Sequence, residues 1–435
     1  MHLPYKHRYP SQRLLRTSGS FRGVLWPKQS TRREFSNRTP TITHSGRQAF
    51  QSPTSLQRNS SVAAHPTGSS PSGPSFVRDP FTILFCGRDL FSCAVFKEVY
   101  NAKDVWDSFH IITNPDVRAG RRGSRLDISP LKTDGETLDV PVHTMPEDRA
   151  AFRKWLPPPP FTPHPDGPGF QNASHLLITA SFGRILPVSI LRLFPNTQRL
   201  NVHPSLLPAY RGPAPIQHAL MAGERETGVC VIEMGEVRRK AGKLVDAGDI
   251  WAVEQIHIPE GADFLHMQEV LAASGGKLLV RVLRDMLSGR AQSRPQEAVT
   301  STTVHAPLIT ASDSAIHFAS QTAHVITRLE RAIGHQRSLT VAAGLPNGRA
   351  VAIAGLQAIP AELAPSETGE CPGTAYYSPK TRSLVVRCAE GTWLSVERLQ
   401  TQDRAMMGAK EWWNGVKGMG WVRDDGLFRL DSTRV

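Results

Sequence analysis

The stretch Thr82-Ile83-Leu84-Phe85-Cys86-Gly87 is a short apolar run that a glycine closes. Such a run, bounded by turn signals, is typical of a strand buried on both faces of a parallel sheet. We therefore predict that the ordered part of the chain begins at Phe81 with this strand. The motif Gly-x-Gly-x-x-Gly does not follow it, so the sequence does not indicate a dinucleotide site.

Helical and strand-like segments alternate after this first strand. A helical pattern runs from Phe91 to Tyr100, and three apolar runs cover residues 109–113, 140–142 and 175–180. This alternation indicates a parallel α/β sheet. A long amphipathic helix is predicted over residues 263–287, with Asp263 as its N-cap.

The last third of the chain has a different pattern. Short strand-like runs separated by turn signals follow a helical stretch at 316–333, which suggests a small β-barrel. The predicted organisation is a transit region at 1–78, a catalytic domain at 79–287, a polar linker at 288–303 and a C-terminal domain at 304–435.

The positive charge is concentrated before the first strand. The chain has a formal net charge of +13. Residues 1–78 carry twelve Lys and Arg and one acid, Glu34, so this segment accounts for +11 and the remainder for +2. A basic, Ser-rich and acid-poor segment is typical of a disordered mitochondrial transit peptide, with a basic tail that binds nucleic acid as the alternative. The high overall charge is therefore no evidence for an RNA-binding body.

Several other features limit the function classes. No run of eighteen apolar residues is present, so no membrane span is predicted. The five cysteines form no Cys-x-x-Cys pair and no metal site is predicted. Four prolines at 157–160 predict an extended surface insertion, with an interaction motif as the alternative.

The candidate chemistry lies in Leu200-Asn201-Val202-His203-Pro204-Ser205-Leu206-Leu207-Pro208. On an extended segment, Asn201 and His203 project from the same face, and together an amide and an imidazole can stabilise an oxyanion. Downstream, Asp246 could hold a histidine charged or relay a proton through water. Taken alone, the histidine could be structural and the Asp-x-Gly sequence a plain turn.

The order of motifs resembles the methionyl-tRNA formyltransferases of mitochondrial type, within the folate-dependent formyltransferase superfamily. The resemblance covers nearly all of residues 80–420. It is carried by Phe85-Cys86-Gly87, Arg118-Ala119-Gly120-Arg121, Ala180-Ser181-Phe182-Gly183-Arg184-Ile185-Leu186-Pro187, the segment 201–208, Tyr210-Arg211-Gly212-Pro213-Ala214-Pro215-Ile216-Gln217, Thr227-Gly228-Val229 and Asp246-Ala247-Gly248-Asp249-Ile250.

This resemblance implies a fold and a reaction. The fold would be a Rossmann-like parallel-sheet domain followed by a small OB-like β-barrel. The formyl group of 10-formyltetrahydrofolate would pass to the α-amine of methionyl initiator tRNA, in translation initiation in the mitochondrial matrix. Asn201 would donate to the formyl oxygen, His203 would support the developing charge as a cation, and Asp246 would pair with His203 and help to pass a proton to the leaving folate.

The resemblance also implies binding surfaces. Ser205, Leu206, Leu207 and Pro208 would border the folate co-substrate. A basic loop would grip tRNA, although a solvated charged loop is the alternative; its residues are Arg118, Arg121, Arg122 and Arg125. We expect no permanently bound cofactor, no metal, no membrane contact and a monomer.

One departure and two alternative functions remain. The connection Gly235–Lys243 is longer and more basic than the family's, and could displace Asp246 or reflect a faulty gene model. The chain could instead formylate a small amine of the purine or amino-sugar type, although the domain after residue 304 disfavours the purine type. It could also be a catalytically impaired protein that binds tRNA or folate.

Overall fold

A computed structural model describes residues 78–119, 123–162, 171–236, 245–300, 303–342, 344–363 and 371–430. The predicted transit region lies outside the described residues except for Arg78. Arg121, Arg122 and most of the connection 235–243 also lie outside them.

The first part of the described chain forms a seven-stranded sheet and a small two-stranded hairpin. In chain order the elements are β1 (Phe81–Cys86), α1 (Leu90–Asn101), β2 (Trp106–Thr113), β3 (Val117–Ala119), β4 (Arg125–Asp127), α2 (Pro130–Thr137), β5 (Val142–Thr144), α3 (Arg149–Lys154), β6 (His175–Ala180), α4 (Val188–Leu191), β7 (Arg199–His203), α5 (Pro215–Ala222), β8 (Glu226–Glu233), β9 (Ile250–His257) and α6 (Phe264–Leu287).

The strand order of the large sheet is β5-β2-β1-β6-β7-β8-β9. The first five strands of this order are parallel, which confirms the predicted α/β architecture. Strands β8 and β9 are antiparallel, so the expectation of a purely parallel sheet is incomplete. The chain leaves β1 toward β2 on one side and returns to β6 on the other. The carboxyl ends of β1 and β6 therefore flank a topological switch point, where α/β sheets usually bind ligands.

The central strands are buried on both faces, as the apolar run at 82–86 predicts. Ile83 and Phe85 join a core cluster with residues of α1 and α6, whereas Leu84 and Cys86 join a cluster on the opposite face. Helix α6 begins after Asp263, whose carboxylate accepts a hydrogen bond from the backbone of His266 at 2.9 Å. The predicted helix and its N-cap are confirmed.

The proline-rich segment enters the core at its end. Pro159 and Pro160 are exposed, as expected for a surface insertion, but Pro157 is buried and the Phe161 side chain is only 1% exposed. Its ring centroid lies 5.3 Å from that of His110, 5.1 Å from that of His175 and 5.7 Å from that of Phe194. The prediction of a surface insertion is therefore wrong for Phe161, because an aromatic ring of this size gains free energy by leaving water.

The second part of the described chain forms an antiparallel sheet with two helices. Its elements are α7 (Ala323–Ile333), β10 (Leu339–Val341), β11 (Val351–Ile359), β12 (Thr374–Ser378), β13 (Ser383–Arg387), β14 (Trp393–Thr401), β15 (Met407–Gly408), α8 (Ala409–Gly418) and β16 (Phe428–Arg429). The strand order is β10-β11-β14-β13-β12-β16, and β15 pairs with β14. The predicted class, a Rossmann-like parallel sheet followed by a small β-domain, is confirmed. Within the described ranges, no helix combines the length and the apolar character needed to cross a bilayer.

Candidate active site

The carboxyl end of β7 carries both Asn201 and His203. Strand β7 lies between β6 and β8, with Asn201 paired to Thr179 and His203 paired to Cys230. Asp246 approaches from the connection between β8 and β9. The two predicted residues of β7 project from one face, since both side chains meet the Asp246 carboxylate.

Two hydrogen bonds orient the Asn201 amide. The Thr179 hydroxyl donates to Asn201 Oδ1 at 2.7 Å, and Asn201 Nδ2 donates to Asp246 Oδ1 at 3.3 Å. With the oxygen held by Thr179, the amide nitrogen faces Asp246. A primary amide nitrogen has two hydrogens, so Asn201 can bind Asp246 and donate to a substrate oxygen at the same time.

The His203 ring is buried and is held at both nitrogens. Its Nε2 lies 3.1 Å from the carbonyl oxygen of Tyr210, which can only accept, so this nitrogen carries a hydrogen. Its Nδ1 lies 3.7 Å from Asp246 Oδ2. Both nitrogens therefore face acceptors.

Asp246 is held in a demanding backbone conformation. Its φ of 57° lies in the left-handed region, which non-glycine residues rarely occupy. The backbone N–H of Gly212 donates to its Oδ2 at 3.1 Å. Two residues on, a Cβ atom at position 248 would lie 1.8 Å from the Glu233 carbonyl oxygen, so the turn needs glycine there.

The long connection does not keep Asp246 from His203. Residues 237–244 lie outside the described part, but both flanks are anchored to the sheet. The N–H of Glu233 donates to the carbonyl of Asp249 at 2.9 Å, and that of Met234 donates to Arg199 at 2.6 Å. Burial and the charge of Asp249 raise the pKa of the Glu233 carboxyl. Asp246 is the carboxylate that contacts His203, and its acid-base role stays a prediction.

The four predicted folate residues divide into two pairs. Ser205 and Leu207 are buried, and the Ser205 hydroxyl donates to the carbonyl of Ala209 at 2.8 Å. Leu207 packs in a small cluster with Cys230, Ile232 and Ile250. Leu206 and Pro208 are partly exposed. The first pair shapes the loop, and the second pair has surface that a ligand could contact.

The basic loop is a β-hairpin formed by β3 and β4. Arg118 pairs with Leu126, and Ala119 pairs with Arg125, so the two described arginines project from opposite faces. Both are exposed. Arg125 lies 3.7 Å from the exposed Asp127, and an ion pair of this kind is weak in water.

Two residues without a predicted role complete the site. Arg211 is 6% exposed, and both its Nε and Nη2 donate to Gln296 Oε1. Burial lowers the pKa of the Arg211 guanidinium, whereas the charge of Asp246 raises it. Arg211 stands inside a recognised motif, but Gln296 lies in the predicted linker, where sequence patterns point to no role.

The arrangement combines an amide donor, a buried imidazole and a carboxylate at one strand end. Such a group can stabilise negative charge on a carbonyl oxygen and can move a proton. Among the described residues there is no cluster of three or more His, Cys, Asp or Glu that could hold a metal ion.

The chain is similar to proteins of known families. Residues 165–283 match the family described as formyl transferase, and residues 308–417 match the formyl transferase C-terminal domain. The methionyl-tRNA formyltransferase of Sulfurihydrogenibium sp. is 32% identical over 57% of this chain and 72% of its own length. The mitochondrial methionyl-tRNA formyltransferase of Homo sapiens is 26% identical over 78% of each chain. A solved structure of HypX from Aquifex aeolicus in complex with tetrahydrofolic acid has a TM-score of 0.48 and 15% identity, covering 78% of this chain and 48% of that chain. On the first of these relatives and the two family matches, the chain belongs to the methionyl-tRNA formyltransferase family.

Proposed function

We propose that this protein transfers the formyl group of 10-formyltetrahydrofolate to the α-amine of methionyl initiator tRNA. The observation that carries the proposal is the meeting of Asn201, His203 and Asp246 at the carboxyl end of β7. The match of residues 308–417 to the formyl transferase C-terminal domain supports this acceptor over a small amine of the purine type.

The proposed reaction proceeds through a tetrahedral intermediate. The amine nitrogen attacks the formyl carbon, the carbonyl oxygen becomes an oxyanion, and the bond from the formyl carbon to N10 of the folate then breaks. Asn201 donates a hydrogen bond to the oxyanion, and the positive charge of His203 stabilises it electrostatically. Asp246 helps to move the proton that the amine loses, through a water molecule, to N10.

Two surfaces are proposed to bind the substrates. Leu206 and Pro208 would border the folate, while Ser205 and Leu207 hold the loop from within. The hairpin of β3 and β4, with Arg118 and Arg125, and the adjoining Arg121 and Arg122 would bind tRNA phosphates. The exposed positions of the two described arginines support this assignment.

The proposed location is the mitochondrial matrix, where the protein would serve translation initiation as a monomer. The basic, acid-poor composition of residues 1–78 and the mitochondrial relative from Homo sapiens support this location.

The deciding experiment follows labelled formyl from 10-formyltetrahydrofolate to initiator tRNA charged with methionine. We expect transfer by the wild type and a large loss in His203→Ala. Glycinamide ribonucleotide and an amino-sugar nucleotide serve as alternative acceptors in the same assay. Transfer to a small amine alone would favour the small-amine enzyme, and tRNA binding without transfer would favour the impaired paralogue. A His203→Ala variant with the full rate would contradict the mechanism.

A further inference from the structure

Several described residues that follow α6 are bonded to the loops of the candidate site. Arg294 exchanges two backbone hydrogen bonds with Ile250, at 2.8 and 2.9 Å. Further along, the Tyr210 N–H donates to Val304 at 2.7 Å. The loop that follows His203 and the start of β9 are therefore bonded to Val304 and Arg294.

Gln296 lies between these two residues in the chain, and its side chain reaches the site. Its Nε2 donates to the carbonyl of Asp246 at 2.8 Å and to the carbonyl of Gly248 at 2.7 Å. Its Oε1 accepts from Nε of the buried Arg211 at 3.0 Å, and from Nη2 of the same guanidinium. All the polar groups of the Gln296 side chain thus bind the turn of Asp246 or the arginine next to it.

These bonds hold the turn where it is strained. Asp246 has a positive φ, and such a conformation persists only where surrounding contacts impose it. The Asp246 carboxylate must also keep its place between Asn201 and His203. A primary amide suits the position, because it accepts from a guanidinium and donates to two carbonyl groups at once. Leucine, methionine or glutamate cannot do both.

We propose that Gln296 is a positioning residue that, braced by Arg211, fixes the turn of Asp246 for proton transfer. The inference rests on the proposed function, since Asp246 is assigned its acid-base role there. Gln296 acts through the backbone of Asp246 and Gly248 and not on the reacting atoms. The role of the catalytic carboxylate thus depends on a residue beyond the end of α6.

Gln296→Met tests the proposal, because methionine has a similar volume and no amide. The matched control is Gln292→Met, four residues earlier at an exposed position. We expect Gln296→Met to lower kcat by about ten- to a hundredfold, as loss of a supporting partner commonly does. We expect the KM values for both substrates to stay close to wild type, and Gln292→Met to behave as wild type. The thermal unfolding temperature of Gln296→Met should fall, because Arg211 is left buried without its partner, so kcat is compared at a temperature where both proteins are folded.

A second variant distinguishes the hydrogen bonds that Gln296 accepts from Arg211 from those that it donates to the Asp246 turn. Gln296→Glu keeps an acceptor for Arg211 but loses both donors to the carbonyl groups, so it should be as impaired as Gln296→Met. If Gln296→Glu restores the wild-type kcat, the pairing with Arg211 is sufficient and the hold on the Asp246 turn is not the cause.

Two further measurements distinguish positioning from a general structural role. In an Asp246→Asn background, Gln296→Met should lower kcat little further, because the effects of substitutions that act through one group are not additive. An equal loss in both backgrounds would overturn the proposal. Amide hydrogen exchange at 245–249 should rise in Gln296→Met and not in Gln292→Met, and unchanged exchange would also overturn it. The exchange result does not depend on activity. If the wild type shows no formyl transfer but hydrogen exchange still increases in Gln296→Met, the proposed function is refuted. The structural part of the inference, that Gln296 fixes the turn of Asp246, is then still supported.

Discussion

At the scale of single residues, the site depends on the orientation of the Asn201 side-chain amide. The Thr179 hydroxyl donates to the oxygen of Asn201, and this leaves the nitrogen to face Asp246. The spacing of Asn201 and His203 predicts correctly that they share a face. The partner residues Thr179 and Gln296 could not be predicted, because their contacts join segments far apart in the chain.

Asn201→Ala should lower kcat by about a hundredfold, since removing one oxyanion donor commonly costs about 3 kcal/mol of barrier. The change in kcat is measured as formyl transfer to methionyl initiator tRNA at saturating concentrations of both substrates. Asn414→Ala, on the exposed face of α8, is the control and should keep the wild-type rate. A loss of less than about twofold in Asn201→Ala would exclude an oxyanion role.

Gly248→Ala should reduce formyl transfer strongly, because the new Cβ would lie 1.8 Å from the backbone oxygen of Glu233 and the Asp246 turn would have to move. Gly235→Ala is the matched control on the same connection, since a Cβ there meets no atom within 4 Å. Equal activity of the two variants would show that the turn tolerates displacement.

At the scale of elements, apolar runs located β1 and β6 well, because both strands are buried on both faces and short. Strands β8 and β9 escaped prediction as an antiparallel pair. Strand β9 lies at the sheet edge and is only half-buried, so its signal is weak. The proline run predicts an extended segment correctly, but the burial of Phe161 depends on a space between His110, His175 and Phe194 that local sequence does not show.

Phe161→Ala should destabilise the protein by about 3 to 5 kcal/mol, the usual cost of emptying a buried phenylalanine site. Denaturant unfolding of the variant and the wild type measures the change. Leu156→Ala is the control from the same segment, where the side chain is 43% exposed, and should have a small effect. An unchanged free energy of unfolding for Phe161→Ala would mean that the ring does not anchor the segment.

The histidines beside Phe161, and His143, whose ring stacks on that of His110 at 5.8 Å, should make stability depend on pH. Burial lowers the pKa values of His110, His143 and His175. Each histidine therefore takes up a proton more readily in the unfolded chain. The free energy of unfolding should then fall as the pH drops below the ordinary histidine pKa of about 6.5.

Thermal unfolding at pH 7.5 and at 5.5 measures this dependence. His143→Gln should reduce the loss on acidification, whereas His266→Gln, at an exposed position, should not. Equal unfolding temperatures at the two pH values for the wild type would contradict the assignment.

At the scale of the whole molecule, the distribution of charge separates the first 78 residues from the rest. The alternation of strands and helices and the later short strands were sufficient to predict the order of the two sheets. The backbone hydrogen bonds of Arg294, Val304 and Ala306 to the catalytic loops were not predictable, because the polar composition of this segment is typical of a linker.

Deletion of residues 1–77 should leave formyl transfer in vitro unchanged, because every residue proposed for catalysis or substrate binding lies beyond residue 77. The same deletion should abolish import into isolated mitochondria. The remaining chain, which keeps Arg78, carries a net charge of +3, so we expect only a modest dependence of tRNA binding on salt. A steep salt dependence that disappears with the deletion would instead assign tRNA binding to the basic segment.

The bonding of residues 294–306 to the loops also limits how this enzyme can be recombined with others. The end of α6 at Leu287 looks like a natural junction for a chimera. A graft made there would leave behind Gln296 and the backbone partners of Tyr210 and Arg211. The donor of the catalytic half must therefore supply the sequence through Ala306, and chimeras joined before and after this segment should differ in turnover even when both fold.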